Sequence, residues 1–514
     1  MKIRFYLPRN FLLALFMTTT VTGCITNPVT GNREIRLVSE GQELAMGQQS
    51  YAPLTQMEGG KYTVDPALGA YVSSVGRKMA SVSDRNLPYE FVVVNNPIPN
   101  AWALPGGKIG INTGLLWELG SEAELAAVLG HEVIHAAAGH SARSQTRGMG
   151  IQLAVMSVAV GLGDKEYANI ALGAAQLGSS LISSKYGRDA ELESDEFGMN
   201  YMKRAGYNPQ AAVALQKTFV RLSEGRQQQG FERFFSTHPP SQDRVEANQR
   251  SVSRLGADGE MHTKRYQQAI AKLKRSRPAY ESLNKGKEAL AKKDYGVALA
   301  YADQAIRIDS REAHFYILRG DVFMAQKSYR KALGSYQRAL KNNQDYVGGW
   351  IGRGVAQYKL GKRSAAKADL EKSLEMLPTV AAHFALGNIA RDSGDSETAL
   401  GHYQAVAGSN APQASEAMTQ VVQIELHSAP GKYIASGQNI DQNGRLSVEV
   451  QNRADVAVSN VIVTVREGDR SWKVRISGTL NAGESHLQGT QLGPYTAEQA
   501  ARISTAVTEA RLAQ

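Results

Sequence analysis

Gly286, Gly320, Gly354 and Gly387 recur at intervals of 34, 34 and 33 residues, and this period constrains the fold more than any other feature of the chain. Ala298-Leu299, Ala332-Leu333 and Ala399-Leu400 fall at one phase of it, with Ala366-Lys367 in the third unit. Ala305 and Ala339 keep the same beat, and Tyr301 and Tyr336 fall within one residue of it. A repeat of this length holds one helix pair. Small residues let the two helices approach, and stacking of neighbouring pairs buries a core that no single unit can close. Residues 277–410 are therefore expected to form an α-solenoid. Its concave face suits a protein partner, and the recurring Lys, Arg, Tyr and Gln suit an extended, partly acidic one.

Ahead of the repeats lies His131-Glu132-Val133-Ile134-His135. It sits within Ser121–His140, where Ser121 and Glu124 make a capping-box start and Leu125, Val128, Leu129 and Val133 fall at helical spacing. Positions i and i+4 share a helix face, so His131 and His135 can offer two imidazole nitrogens to one metal ion. Glu132, beside them, can take a proton from an attacking water. A plain helix with two hydrogen-bonded histidines is the alternative. The segment Ser184–Gly198 adds Glu191 and Asp195, again i and i+4. One can bind the metal while the other accepts the free N–H of a ligand histidine; a solvated acidic helix face is the alternative here. A cysteine-ligated site is excluded, because Cys24 is the only cysteine. A metzincin site is excluded too, because Gly139 comes one residue late and His140 one early. His140 is expected to close the helix C-terminus, where a cation suits the dipole.

Taken together, these segments resemble the gluzincin zinc-peptidase family of BepA, LoiP and HtpX, to which the CAAX prenyl proteases also belong. The second motif of that family is E-x-x-x-D, extended in closer relatives to R-x-x-E-x-E-A-D-x-x-G. This chain has Arg188, Glu191, Glu193, Asp195 and Gly198 in those places, with Ser194 for the alanine. The resemblance implies His131, His135 and Glu191 as ligands of one zinc ion, Glu132 as general base and Asp195 as support for a ligand histidine. Glu193 is the competing ligand should the register differ. Asn100–Gly107 is similar to the family's N-A-x-A-x-P-G-G segment and reads as part of a β-hairpin. In such peptidases an edge strand near the zinc pairs with extended substrate backbone; plain scaffold is the other reading. Thr237-His238-Pro239-Pro240 through Arg244 is similar to the T-H-P…R segment of BepA-like members. That likeness implies His238 as a fourth, displaceable ligand and Arg244 as a charge steadying the anionic transition state. From the residues alone it is a turn in which the prolines set a helix start. The repeats resemble the tetratricopeptide family.

Lys2, Arg4 and Arg9, the apolar stretch Phe11–Met17 and Val21-Thr22-Gly23-Cys24 read as a lipoprotein signal, residues 1–23, cut before a lipidated Cys24. An ordinary secretory signal, giving a soluble periplasmic protein, is the alternative. Ile25 after the cysteine points to the outer membrane, facing the periplasm. Residues 24–38 then form a linker in which Asn27-Pro28-Val29-Thr30-Gly31 resembles the post-cysteine segment of lipoprotein relatives. Net charge is +10, and export makes acidic clients or an anionic membrane surface, not nucleic acid, the partner of that charge.

The chain is thus expected to be mainly α (α+β). A gluzincin metallopeptidase domain spans 39–255, the tetratricopeptide solenoid 277–410 and a small β-rich accessory domain 418–514. Within the peptidase domain the apolar runs Met149–Leu162 and Tyr167–Ile182 read as a helical hairpin, a lid, core or membrane-dipping amphipath. In the last domain Gln423–Leu426, Leu446–Gln451, Val458–Glu467 and Ser471–Ile476 read as strands of a sandwich closed by a helix at Thr496–Leu512. The resemblance implies a zinc endopeptidase acting on unfolded or misassembled proteins in outer-membrane protein assembly, with the repeats recruiting clients or the assembly machinery. A chaperone or scaffold lipoprotein with a latent peptidase site is the alternative; a zinc-stabilised envelope-binding protein is a third reading.

Overall fold

The computed structural model describes residues 24–144, 146, 187–224 and 232–513. The signal-like residues 1–23 and the apolar runs Met149–Leu162 and Tyr167–Ile182 lie outside the described residues. The chain divides into two units, Met1–Gly349 and Trp350–Gln514.

In the first unit, β1 (Cys24–Thr26) and β2 (Arg33–Ile35) pair antiparallel as a short strap. Helix α1 (Glu40–Met57) starts on a complete capping box, Ser39 with Gln42, and α2 (Pro66–Ala80) starts on Pro66, whose missing N–H costs nothing at that position. The strands β3 (Glu90–Val94), β4 (Ala101–Leu104) and β5 (Lys108–Asn112) form one sheet in the order β3-β5-β4. The sequence-predicted hairpin is the antiparallel β4–β5 pair, with Trp102 opposite Gly110, and β4 lies on the sheet edge. After a short helix α3 (Thr113–Glu118), α4 (Glu122–Ala137) carries the histidine pair. Every residue of α4 except Glu124 is buried, so this helix is the spine of the core rather than an amphipathic surface element. It is flanked by α5 (Arg188–Arg204), α6 (Gln210–Glu224), α7 (Glu232–Thr237) and α8 (Gln242–Leu255).

The same core runs on into α9 (Thr263–Ala269), α10 (Ala271–Ala291), α11 (Tyr295–Ile308) and α12 (Ala313–Ala325): Tyr266, Leu273, Tyr280 and Phe315 are fully or almost fully buried in one cluster with Leu129 and Val133. The seam is polar at one point. Tyr280 Oη lies 2.7 Å from both Asn95 and Glu312, and Glu312 also accepts from the His314 backbone. A buried carboxylate with this many donors locks the first repeat onto the end of β3. Helix α13 (Tyr329–Asn342) completes a second helix pair in this unit.

The second unit, taken by itself, holds three helices of the later repeats, Arg363–Met376, Val380–Asp392 and Ser396–Ala407, then the helix Ala414–Ser428 and two sheets. One sheet joins Ile434–Ile440, Leu446–Asn452 and Ser485–Gly489; the other centres on Val458–Glu467. Val448, Val450, Val463 and Val465 share one core between them. Two expectations fail here. Gln423–Leu426 is helix, not strand: Ala417, Val421, Val422 and Leu426 are its buried side, a helical stripe that a four-residue window hides. Thr496–Leu512 is one helical turn, Ala497–Ala500, followed by the strand Ser504–Leu512. That strand pairs along Val458–Glu467, and pairing with a β-branched neighbour outweighs its helix-forming Ala, Glu and Arg.

Glu122 in the first turn of α4 is buried and receives Tyr71 Oη and Tyr207 Oη, each at 2.7 Å, and an ion pair from Arg265. Burial alone would push its carboxyl up, but Arg265 and the two phenols hold it below 4.5. A depressed folded value stabilises above the unfolded one and is lost as pH falls through it. Glu122→Gln should therefore cost about 2–3 kcal/mol at neutral pH, and the difference from wild type should shrink as the pH drops below about 4.5, as read by urea unfolding across that range.

Candidate metal centre

Two glycines set up the centre. A Cβ on Gly198 of α5 would lie 3.3 Å from the His131 backbone nitrogen and 3.4 Å from Gly130 of α4. The helices therefore cross backbone to backbone, which brings the first turns of α5 beside the histidine pair. His131 Nε2 and His135 Nε2 are 3.0 Å apart. Glu191 places Oε2 3.5 Å from the first and Oε1 3.3 Å from the second. His238, just beyond α7, puts Nδ1 3.1 Å from Glu191 Oε1. One ligand atom from each of these four buried residues lies within 4.8 Å of all the others. Three imidazoles and a carboxylate at this separation are the N/O donor set that zinc takes, so the residues fit a divalent cation.

Glu132 is buried beside them. Its Oε1 is 3.7 Å from His238 Nε2, and its Oε2 is a buried oxygen with no hydrogen-bond partner among the described residues. Burial pushes this carboxyl up, against the pull of His238 and His131. Asp195 accepts from His131 Nδ1 at 2.9 Å and is clasped by Arg244 through Nε at 2.7 Å and Nη2 at 2.8 Å. Burial acts to raise Asp195, but Arg244 and His131 hold it below its ordinary value. Arg244 Nη1 also meets Glu191 Oε2 at 3.0 Å. The guanidinium thus spans the two carboxylates and also donates from Nη1 to Pro239 O at 3.2 Å. Burial opposes charge on His131, yet Glu191 and Asp195 lift it to about 10. His135 is driven the other way by burial and is neutral.

The register question resolves by distance. Glu193 does not join the cluster; it accepts from His140 Nε2 at 3.0 Å and pairs with Arg143 at 3.3 Å. Nor does His140 act as a cation at a helix end. It is buried, burial lowers it, and its Nδ1 lies 2.8 Å from His135 Nδ1. Sequence reasoning missed this contact, although a histidine five residues past His135 was in view; the signal was Gly139, whose φ of +66° breaks the helix and turns the ring back. Cys24 opens β1, away from the cluster in sequence and joined to it through the strap.

The sequence model of peptidase family M48 matches residues 66–251, and that of the tetratricopeptide repeat matches 283–347 and 351–415. A beta-barrel assembly-enhancing protease of Vibrio cholerae is 32% identical over 188 residues, 35% of this chain and 38% of that protein. Metalloprotease YcaL of Escherichia coli is 30% identical over 186 residues, 34% of this chain and 68% of YcaL. Metalloprotease LoiP of Escherichia coli is 27% identical over 265 residues, 49% of this chain and 98% of LoiP. The chain thus spans well under half of the first relative and nearly all of the last. The helix-borne histidine pair, the glutamate delivered by the second helix and the match across 66–251 agree, and the chain belongs to peptidase family M48, with tetratricopeptide repeats following its peptidase domain.

Proposed function

We propose that this chain is a zinc-dependent endopeptidase, a lipoprotein anchored at Cys24 in the outer membrane and facing the periplasm, that degrades misfolded or stalled proteins during outer-membrane protein assembly. The observation that carries the catalytic part is the buried Glu132 Oε2, without a hydrogen-bond partner among the described residues, next to the converging His131, His135 and Glu191. Those three would hold the ion. When bound, zinc supplies Lewis-acid polarisation of the scissile carbonyl and a more acidic attacking water. Glu132 takes the proton from that water as the C–O bond forms and passes it to the amine nitrogen as the C–N bond breaks. Asp195 fixes His131 by accepting its Nδ1–H, and Arg244 steadies Asp195 and Glu191 together.

The edge strand β4, paired with β5 alone among the described strands, is the candidate to pair with an extended substrate, a mode that reads few side chains and tolerates varied sequences. The location rests on the signal-like start and on relatives whose names attach them to β-barrel assembly. No described helix is long and apolar enough to cross a membrane; the proposed lipid on Cys24 rests on the signal-like residues ahead of it. The repeats supply a protein-binding surface for clients or for the assembly machinery. Metal analysis of the purified chain, with degradation of denatured casein measured with and without a chelator, tests the reading. One equivalent of zinc and chelator-sensitive cleavage are expected; casein cleavage that survives complete metal removal sinks it.

A scaffold with a latent site is the second reading, and His238 favours it. His238 stands over the candidate site, its Nδ1 3.1 Å from Glu191 Oε1 and its Nε2 3.7 Å from Glu132 Oε1, so it competes with a substrate for the place beside the proposed base. If displacing His238 costs about 1.4 kcal/mol, His238→Ala should raise casein cleavage about tenfold with metal content unchanged. A rate equal to or below wild type would remove His238 as the restraint.

A further inference from the structure

We propose that His135 is held in its metal-facing orientation by a relay, His140 to Glu193, braced through Arg143 and Glu34 by the strap that follows Cys24. The inference rests on the metal-centre reading above and concerns residues outside its donor set.

The geometry assigns each proton. His135 faces Glu191 with Nε2, so a metal-binding His135 carries its hydrogen on Nδ1. The atom 2.8 Å from that nitrogen is His140 Nδ1, which must then offer a lone pair and carry its own hydrogen on Nε2. Glu193 Oε1 stands 3.0 Å from His140 Nε2 and can accept that hydrogen. The two ligand histidines are thus backed differently. His131 rests directly on a carboxylate, Asp195; His135 reaches one, Glu193, through a second imidazole. A ligand histidine whose other nitrogen is so fixed has its tautomer and ring plane set before metal arrives.

The outer end of the relay is built from the strap. Arg143 pairs with Glu193 at 3.3 Å and with Glu34 of β2 at 2.6 Å. Glu34 also accepts from Asn27 Nδ2 at 2.9 Å, and the same amide nitrogen donates to Ala138 O, at the C-terminal end of α4, at 3.0 Å. Asn27 Oδ1 accepts from the Val29 and Thr30 backbone at 2.9 and 3.2 Å. Asn27 is fully buried, and both of its amide hydrogens are spent on this junction. The left-handed Gly139 lies under the same strap: a Cβ there would come within 2.5 Å of Arg36 Nη2. The segment read from sequence as a linker is therefore a positioning element, and the membrane anchor sits only a few residues from the support of a metal ligand.

The test uses the full chain and the variants Glu193→Gln, His140→Ala and Glu34→Gln. Zinc affinity is measured by competition with a chromophoric chelator, the visible spectrum of the cobalt-substituted protein is recorded, and melting of the metal-free protein is followed by circular dichroism. Glu193→Gln and His140→Ala should weaken zinc binding about ten- to a hundredfold and shift the cobalt bands, with kcat falling more than KM changes. Glu34→Gln, at the half-buried outer end and nearly isosteric, should fold normally and weaken zinc binding a few-fold. Wild-type chain that binds no zinc overturns the metal-centre reading itself. Wild type that binds one equivalent, while all three variants bind it within twofold and keep the wild-type cobalt spectrum, overturns the relay and leaves the metal centre standing. A lowered melting temperature without loss of affinity marks the contacts as packing only and overturns it as well.

Discussion

A Glu132→Gln chain should bind one equivalent of zinc as tightly as wild type and cleave denatured casein about a thousandfold more slowly. The expected size comes from what the substitution removes. Glutamine keeps the shape of the side chain on α4 and the packing around it, but its amide cannot take a proton. Glu132 is not placed as a ligand: the cluster closes through His131, His135, Glu191 and His238 without it. Its Oε2 is a buried oxygen with no partner among the described residues, a costly arrangement for a purely structural group. Metal content by elemental analysis and initial cleavage rates separate the outcomes. Loss of metal would make Glu132 a ligand. Cleavage retained within tenfold would give the proton transfer to another group. The same variant separates peptidase from scaffold in the cell: restoration of a deletion strain by Glu132→Gln favours the scaffold reading, and failure to restore it favours the peptidase.

The second large effect concerns stability. Arg244→Met should destabilise the metal-free protein by about 3–5 kcal/mol, lowering its melting temperature by roughly 5–10 °C. Arg244 is 4% exposed, and its guanidinium spans Asp195 and Glu191, themselves 7% and 1% exposed. Removing the cation leaves two carboxylates close together and out of water, with the imidazoles of His131 and His238 beside them. Adding zinc should recover much of the loss, since a cation beside Glu191 replaces part of the missing charge. The double variant Arg244→Met with Asp195→Leu should be less damaged than Arg244→Met alone, because no unpaired charge is left at that end. Thermal melts of the metal-free and zinc-loaded forms check both statements. A single variant that melts within about 2 °C of wild type would falsify the account of Arg244 as the counter-ion of the site.

The strap bears on how the proposed lipid anchor would connect to the peptidase domain. Residues 24–38 hanging loose would tether that domain at a variable distance. Here Asn27, Glu34 and Arg36 are spent on the end of α4 and on Arg143, so the domain begins almost at Cys24. The first repeats are equally integral to the peptidase core through Tyr266, Tyr280 and Phe315. A peptidase fragment cut after α8 would expose these apolar contacts, and that core depends on residues a domain diagram assigns to the repeats.

The sequence by itself determined what local spacing can carry. His131 and His135 on one face, Ser121 as the cap and the β4–β5 hairpin follow from backbone geometry within a few residues, and the period of the repeats is legible in the recurring glycines and alanines themselves. From the residues alone, either Glu191 or Asp195 could be the third ligand; the family resemblance named Glu191, with Glu193 as competitor should the register differ, because that register depends on where α5 meets α4. Only the tertiary structure decided it: Gly130 and Gly198 let the helices touch backbone to backbone, and at that crossing Glu191 faces the imidazoles while Glu193 faces His140. Arg244, His140 and the strap were undecided for the same reason. Each acquires its role from a partner tens to more than a hundred residues away, and the electrostatics of a buried charge are set by what the fold brings beside it, not by its neighbours in the chain.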